Sequence, residues 1–176
     1  MRVFTDALQL ISHLDGLGHI VSAESGALFE LDHALQCAAL LAQTNPADVE
    51  LQVAGLIHDL AHPWDGPGQP RHATMGAAAV RTLLGKRMAA LIAGHVPAKR
   101  YLVATRPQYA ALLSADSSMT LAAQGGAMSA AEIAAFEGLA DWQAMLALRV
   151  ADDSAKVPGA VVPGLQHWLP AIRSLV

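Results

Sequence analysis

The chain is 176 residues long, which suits a single domain with a sizeable core. It is 53% hydrophobic and only 15% charged, yet its longest stretch without Asp, Glu, Lys or Arg, residues 157–172, is shorter than the ~18–20 residues of a membrane span and is broken by Pro158, Pro163 and Pro170. A net charge of −4 with no basic run argues against nucleic acid as a partner, and the single cysteine, Cys37, rules out an internal disulfide and suits a reducing cytoplasm.

Apolar residues recur at three- and four-residue spacing along nearly the whole chain, while period-two alternation is scarce, so the expected fold is all-α, in one domain over 1–176. In chain order the expected helices are 4–14, 31–43, 47–62, 72–84, 87–94, 97–105, 107–113, 116–123, 130–138, 141–156 and 165–176. Near the N-terminus, Asp6, His13 and Asp15 interrupt the apolar stretch that a secretory signal would need. Asn45-Pro46 reads as an N-cap with proline at the first helical position, and Ser129 with Glu132 reads as a capping box. The PWDGPGQP segment at 63–70 and the Gly125-Gly126 pair read as loops.

Eight histidines are unusual in so apolar a chain, and imidazole is both a common metal ligand and a common general base. The strongest local signal is GLIHDLAH at 55–62, near the end of an expected helix. On that helix His58 and His62 lie one turn apart, and Asp59, turned by about 100°, can reach a shared point. The plain alternative is a helix end at which two histidines meet the C-terminal dipole. However, His33, His72, His95 and Asp152 also sit in or beside apolar helical stretches, where a polar side chain without a partner is costly. A shared metal centre accounts for all of them. Imidazole and carboxylate suit iron, manganese or zinc, and six ligands exceed one four-coordinate zinc but fit two metals bridged by a carboxylate, for which Asp59 is placed.

The order His33, His58-Asp59, His72, His95, Asp152 resembles the HD-domain superfamily, in its branch with two additional histidines and a dinuclear centre. The segments LDHALQCAAL (31–40), HVPAKRYL (95–102), LAAQGGAMSAAE (121–132) and LRVADDSAKVPG (148–159) resemble the phosphonate-cleaving mixed-valence diiron oxygenases. That resemblance spans roughly residue 31 to the C-terminus. It implies an HD-type helical bundle in which His33, His58, Asp59 and Asp152 bind one iron and Asp59, His72 and His95 bind the other. It also implies an Fe(II)/Fe(III) pair that uses O2 to convert a small 1-hydroxyphosphonate into a carboxylic acid and phosphate. His62 matches a catalytic histidine beside the substrate. Lys99 and Arg149 match phosphonate-binding cations, and Thr120 with Ser117 or Ser118 could add hydroxyls.

Other readings of these residues stay open at this level. Lys99 and Arg100 also suit a solvated basic turn, and Arg149 also suits pairing with Asp152 or Asp153 along one helix. An HD-type phosphohydrolase acting on a phosphate ester would use the same metal ligands. Related oxygenases carry Tyr-x-x-Glu upstream of the first histidine, where this chain has Ala23 and Gly26, so an ammonium-bearing phosphonate is expected to be a poor substrate. Cys37 is expected to be a small buried hydrophobe, and His13, His19 and His167 are expected to be surface or packing residues. The substrate, the loaded metal and the oligomeric state are not set by the sequence.

Overall fold

The computed structural model describes residues 2–22, 28–64 and 71–176. Among these the helices are α1 (Ala7–Leu17), α2 (Glu30–Thr44), α3 (Val49–Ile57), α4 (His72–Thr105), α5 (Ala115–Ala123), α6 (Ala130–Glu137), α7 (Trp142–Ser154) and α8 (Leu165–Ser174), with short 3-10 turns at His62–Trp64 and Tyr109–Leu112. The all-α expectation holds. Among the described residues no helix is long and apolar enough to cross a membrane. Ala23, Gly26 and most of the loop at 63–70 lie outside the described residues.

Helix α3 is the centre of the molecule. Leu51, Val53, Ala54, Leu56 and Ile57 are all buried, and a helix that is apolar all round has to be enclosed by others. It packs against α2, α4, α7 and α8, while α7 also packs against α2 and α4. Each large side chain enclosed in this way, such as Leu41, Leu56 or Leu91, contributes about 1.5–3 kcal/mol. Two glycines set the spacing. A Cβ on Gly55 would lie 2.6 Å from Leu41 Cδ1 and 3.3 Å from the Ala38 backbone nitrogen, and one on Gly94 would lie 2.3 Å from Met145 Sδ, so α2–α3 and α4–α7 approach more closely than alanine allows. Cys37 is fully buried beside Gly55, as expected of a small hydrophobe.

Three expected boundaries change. Asn45 closes α2 instead of opening α3, which is capped by Asp48 accepting from the Leu51 N–H. Helix α3 stops at Ile57, and the chain then winds through turns closed by Leu60 N–H to Ile57 C=O, His62 N–H to Asp59 C=O and Trp64 N–H to Ala61 C=O. Pro63 in an α-helix would clash with the carbonyl of Asp59 four residues earlier, and it disfavours helical backbone at His62, so the tighter winding wins. By contrast α4 continues through Pro97, because His95, Ala98, Lys99 and Leu102 carry its buried face past the proline. The expected break at 85–86 is a kink at Gly85, whose φ of 89° and ψ of 179° is backbone that glycine alone adopts readily. The capping box at Ser129 and Glu132 is present.

Immediately after the kink, Arg87 ties three helix starts together. Its guanidinium reaches Asp48 Oδ2 at 2.6 Å, Glu50 Oε2 at 3.1 Å and Asp141 Oδ1 at 2.9 Å. Hydrogen bonding to Arg87 lowers the Asp48 carboxyl against the opposing effect of partial burial. A lowered folded-state pKa gives stability that is present above the ordinary carboxylate range of about 3.9 and is lost as pH falls through the folded value. Arg87→Met is therefore expected to cost roughly 1 kcal/mol at pH 7, since the cluster is partly exposed, and less at acid pH, where the carboxylates are protonated. Denaturant melts of both proteins at the two pH values check this, and an equal gap at both would contradict it.

Candidate metal centre

Four core elements each deliver a ligand to one buried point. His33 comes from the first turns of α2, His58 and Asp59 from the turn that ends α3, His72 and His95 from the two segments of α4, and Asp152 from α7. All six are buried. The tight winding after Ile57 does what a continued helix was expected to do, directing the adjacent His58 and Asp59 side chains into the same space.

The imidazoles are oriented by the backbone. Nδ1 of His33 donates to the Ala155 carbonyl at 3.0 Å, that of His58 to Gly55 at 2.9 Å and that of His95 to Ile92 at 2.7 Å. A proton committed to Nδ1 leaves the Nε2 lone pair facing inward, the usual arrangement for a metal-ligating histidine.

The inward atoms form two groups that share Asp59. In the first, His58 Nε2 lies 3.1 Å and His33 Nε2 3.6 Å from Asp59 Oδ2, while Asp152 Oδ1 lies 3.4 Å from His33 and 3.8 Å from His58. In the second, His72 and His95 Nε2 each lie 3.6 Å from Asp59 Oδ1 and 3.1 Å from one another. Ligand atoms each about 2.0–2.2 Å from a common ion lie roughly 3.0–3.6 Å apart, so the spacing suits an ion in each group. The carboxylate of Asp59 thus presents one oxygen to each.

Whether the residues fit a metal is tested by the polar atoms that proteins rarely bury alone. Asp59 Oδ1 and Asp152 Oδ1 are buried and have no hydrogen-bond partner among the described residues, although Lys156 Nζ comes to 3.6 Å of the latter. Two buried carboxylates facing four unprotonated nitrogens repel each other's lone pairs unless cations stand between them. Without metal, protons take that role. Burial pushes His33 and His58 down, but Asp152 and Asp59 more than offset it and hold them at about 9 and about 10. Burial lowers His95 well below its ordinary value, and both carboxyls are held low despite their own burial, Asp59 by the facing histidines and Asp152 first by Arg149 and then by His33 and His58. A metal must displace those protons to bind. This buried His/Asp set can hold metal.

Of the remaining candidates, His62 and Arg149 contact this centre directly. His62 sits in the 3-10 turn, its ring 4.4 Å from that of His72, its Nε2 3.7 Å from Asp59 Oδ1 and its Nδ1 3.4 Å from Glu30 Oε2. Lys99, one turn beyond His95, is buried and donates to Thr120 Oγ1 at 3.0 Å and the Ser117 carbonyl at 3.2 Å, so it is no solvated turn. Arg149 is buried against Asp152 and Asp153, the pairing its sequence spacing allowed. Ser118 is exposed on α5, and the buried hydroxyl there belongs to Ser117, which accepts from Arg149 at 3.3 Å. Sequence reasoning missed Glu30 and Tyr109. Glu30 looks like an ordinary first-turn acid, and its only signal was its position three residues before His33. His13 packs against Phe4 and Trp64 and contacts the Leu60 carbonyl, while His19 and His167 are exposed.

Comparison with known proteins narrows what such a centre is for. The chain is 38% identical over 160 residues to the hydroxymethylphosphonate dioxygenase of Gimesia maris, covering 82% of this chain and 76% of that protein. The chain belongs to the phosphonate dioxygenase family. It is also 31% identical over 153 residues to the [1-hydroxy-2-(trimethylamino)ethyl]phosphonate dioxygenase (glycine-betaine-forming) of Leisingera caerulea, covering 82% of this chain and 78% of that one. A third relative, 29% identical over 149 residues, is the uncharacterized protein L432 of Acanthamoeba polyphaga mimivirus. No protein-family model matches the chain. Membership of the phosphonate dioxygenase family rests on the named relatives, and the shared-carboxylate geometry agrees with it.

That Asp59 belongs to both ligand groups makes a direct prediction for a centre with an ion in each. Asp59→Ala is expected to purify with neither metal, whereas His72→Ala, which touches only one group, is expected to lose one. Metal analysis of the two proteins decides this, and two metals retained by Asp59→Ala would contradict the shared role.

Proposed function

We propose that this phosphonate dioxygenase is an HD-type diiron enzyme that cleaves the carbon–phosphorus bond of a short 1-hydroxyphosphonate lacking an ammonium group, with hydroxymethylphosphonate as the first compound to test. The carrying observation is the pair of ligand groups joined by Asp59, in a chain 38% identical to a hydroxymethylphosphonate dioxygenase. One 1-hydroxyphosphonate and one O2 balance to one carboxylic acid and one phosphate with no outside reductant. In this reading the domain spans 1–176 and works in the cytoplasm, where its single buried thiol is at ease.

Within this reading His33, His58, Asp59 and Asp152 hold one iron and Asp59, His72 and His95 the other. Bound as an Fe(II)/Fe(III) pair, the metals supply the redox chemistry with O2 that water attack on a carbon–phosphorus bond lacks. The protein's own groups bind and orient. Lys99 meets the phosphonate with a desolvated charge, held in place by Thr120 Oγ1 and the Ser117 carbonyl, which accept from it. The Thr120 and Ser117 hydroxyls are the nearby groups assigned to the phosphonate oxygens. Arg149 adds positive charge while holding Asp152 in place. His62, steadied by Glu30 at Nδ1, handles the substrate hydroxyl proton at Nε2. Ala23 and Gly26 offer no side chain that could hold an ammonium group, and the Gimesia maris relative is named for a phosphonate without one.

Oxygen uptake with phosphate and acid release tests the activity. Hydroxymethylphosphonate is expected to be consumed with O2 in equal amounts and to outcompete the trimethylammonio compound, with a coupled half-integer-spin signal in partly oxidised protein. Anaerobic turnover of a phosphate ester with redox-inert metal would establish the phosphohydrolase instead, and clear preference for the ammonium-bearing phosphonate would show that another group replaces the missing carboxylate.

Lys99→Met is expected to raise KM for the phosphonate about ten- to a hundredfold, the loss of one charge-assisted bond of roughly 1.5–3 kcal/mol, with both metals retained. Unchanged KM would place the anion elsewhere.

A further inference from the structure

Arg149 is buried, yet its donors are spent on four side chains of the protein. Nη1 holds Asp152 Oδ2 at 2.9 Å, Nε reaches the Tyr109 hydroxyl at 3.0 Å and Asp153 Oδ2 at 3.1 Å, and Nη2 reaches Asp153 Oδ1 and, at 3.3 Å, Ser117 Oγ. The Tyr109 hydroxyl in turn donates to Asp153 Oδ2. These partners come from three places: α7 itself, α5, and the 3-10 turn that follows α4.

The consequence lies in how a guanidinium works. It is planar, with five donors in a fixed fork, so gripping its Nε and Nη2 edge sets where Nη1 points. That Nη1 takes Asp152 Oδ2 and leaves Oδ1 facing His33 and His58, without a hydrogen-bond partner among the described residues. Asp153 also shares the positive charge of Arg149. If it did not, Asp152 alone would bear the full pull of the cation and be a weaker donor to a metal.

We propose that Tyr109 and Asp153 are positioning residues for the metal centre: they clamp Arg149 so that it presents Asp152 Oδ1 to the group formed with His33, His58 and Asp59. Tyr109 and Asp153 touch none of the other ligands in the contacts described above. Their effect passes through Arg149 to Asp152.

The inference rests on Asp152 as a ligand, and not on carbon–phosphorus chemistry. Its test therefore reads metal binding alone. Fe(II) is titrated anaerobically into metal-free full-length protein by calorimetry, for the wild type, Tyr109→Phe, Asp153→Asn and Asp152→Asn, and for each of the first two combined with Asp152→Asn. Tyr109→Phe keeps the ring that fills the core, and thermal melts verify that each variant is folded. Tyr109→Phe and Asp153→Asn are each expected to weaken the binding step that needs Asp152 by about ten- to a hundredfold, as loss of an outer-shell partner commonly does. In the Asp152→Asn background each is expected to add less than twofold, because the route to the metal is already cut. Unchanged affinity in both single variants, or a full further loss in the double variants, would overturn the proposal. Absence of phosphonate turnover in a protein that showed the expected pattern would count against the proposed reaction and leave the clamp standing.

Discussion

One carboxylate shared between two sets of buried imidazoles governs this molecule. Asp59 presents Oδ2 to His33 and His58 and Oδ1 to His72 and His95, so four chain segments must meet within a few ångströms of a single side chain. Burying a carboxylate and its facing nitrogens without compensation costs several kcal/mol, and the cost falls only if the ligands close around cations or protons. The packing serves that closure. Glycines at 55 and 94 let α2 meet α3 and α4 meet α7 at distances a methyl group would forbid, and those pairs carry His33, the His58-Asp59 turn, His95 and Asp152.

Around that point the protein divides its labour by element. The candidate metal ligands stand on the core helices or at their ends, where backbone carbonyls of Gly55, Ile92 and Ala155 fix three of the imidazole rings. Residues assigned to the substrate reach inward from the periphery: Thr120 and Ser117 on α5, whose other residues are mostly exposed or half-exposed, and His62 on a short 3-10 turn. With the candidate ligands on core helices and the groups assigned to the substrate on peripheral segments, the rim can vary in sequence while the centre is kept.

The cations show why contacts were harder to read than ligands. Spacing put Lys99 on the face of His95, provided that α4 ran through Pro97, and it does. Spacing also put Arg149 within reach of Asp152 and Asp153, leaving pairing and anion binding both open. The structure shows the pairing, with Tyr109 closing the clamp from a segment forty residues away. No local pattern marks Tyr109, because its partner is set by where the turn after α4 comes to rest. Glu30 was missed for a similar reason: an acid in a helix's first turn is ordinary until His62 is found beside it.

The sequence by itself determined the helical class, the six histidine and aspartate candidates that the fold brings together and the likeness to phosphonate-cleaving enzymes, because apolar periodicity, the cost of placing histidine and aspartate in apolar stretches, and local motif order are all written along the chain. Tertiary structure alone decided that α3 ends at Ile57, that Ser117 and not Ser118 turns inward, and that Glu30 meets His62 and Tyr109 meets Arg149. Those outcomes depend on competition between residues far apart in sequence for the same few cubic ångströms, and spacing along a chain carries no term for that.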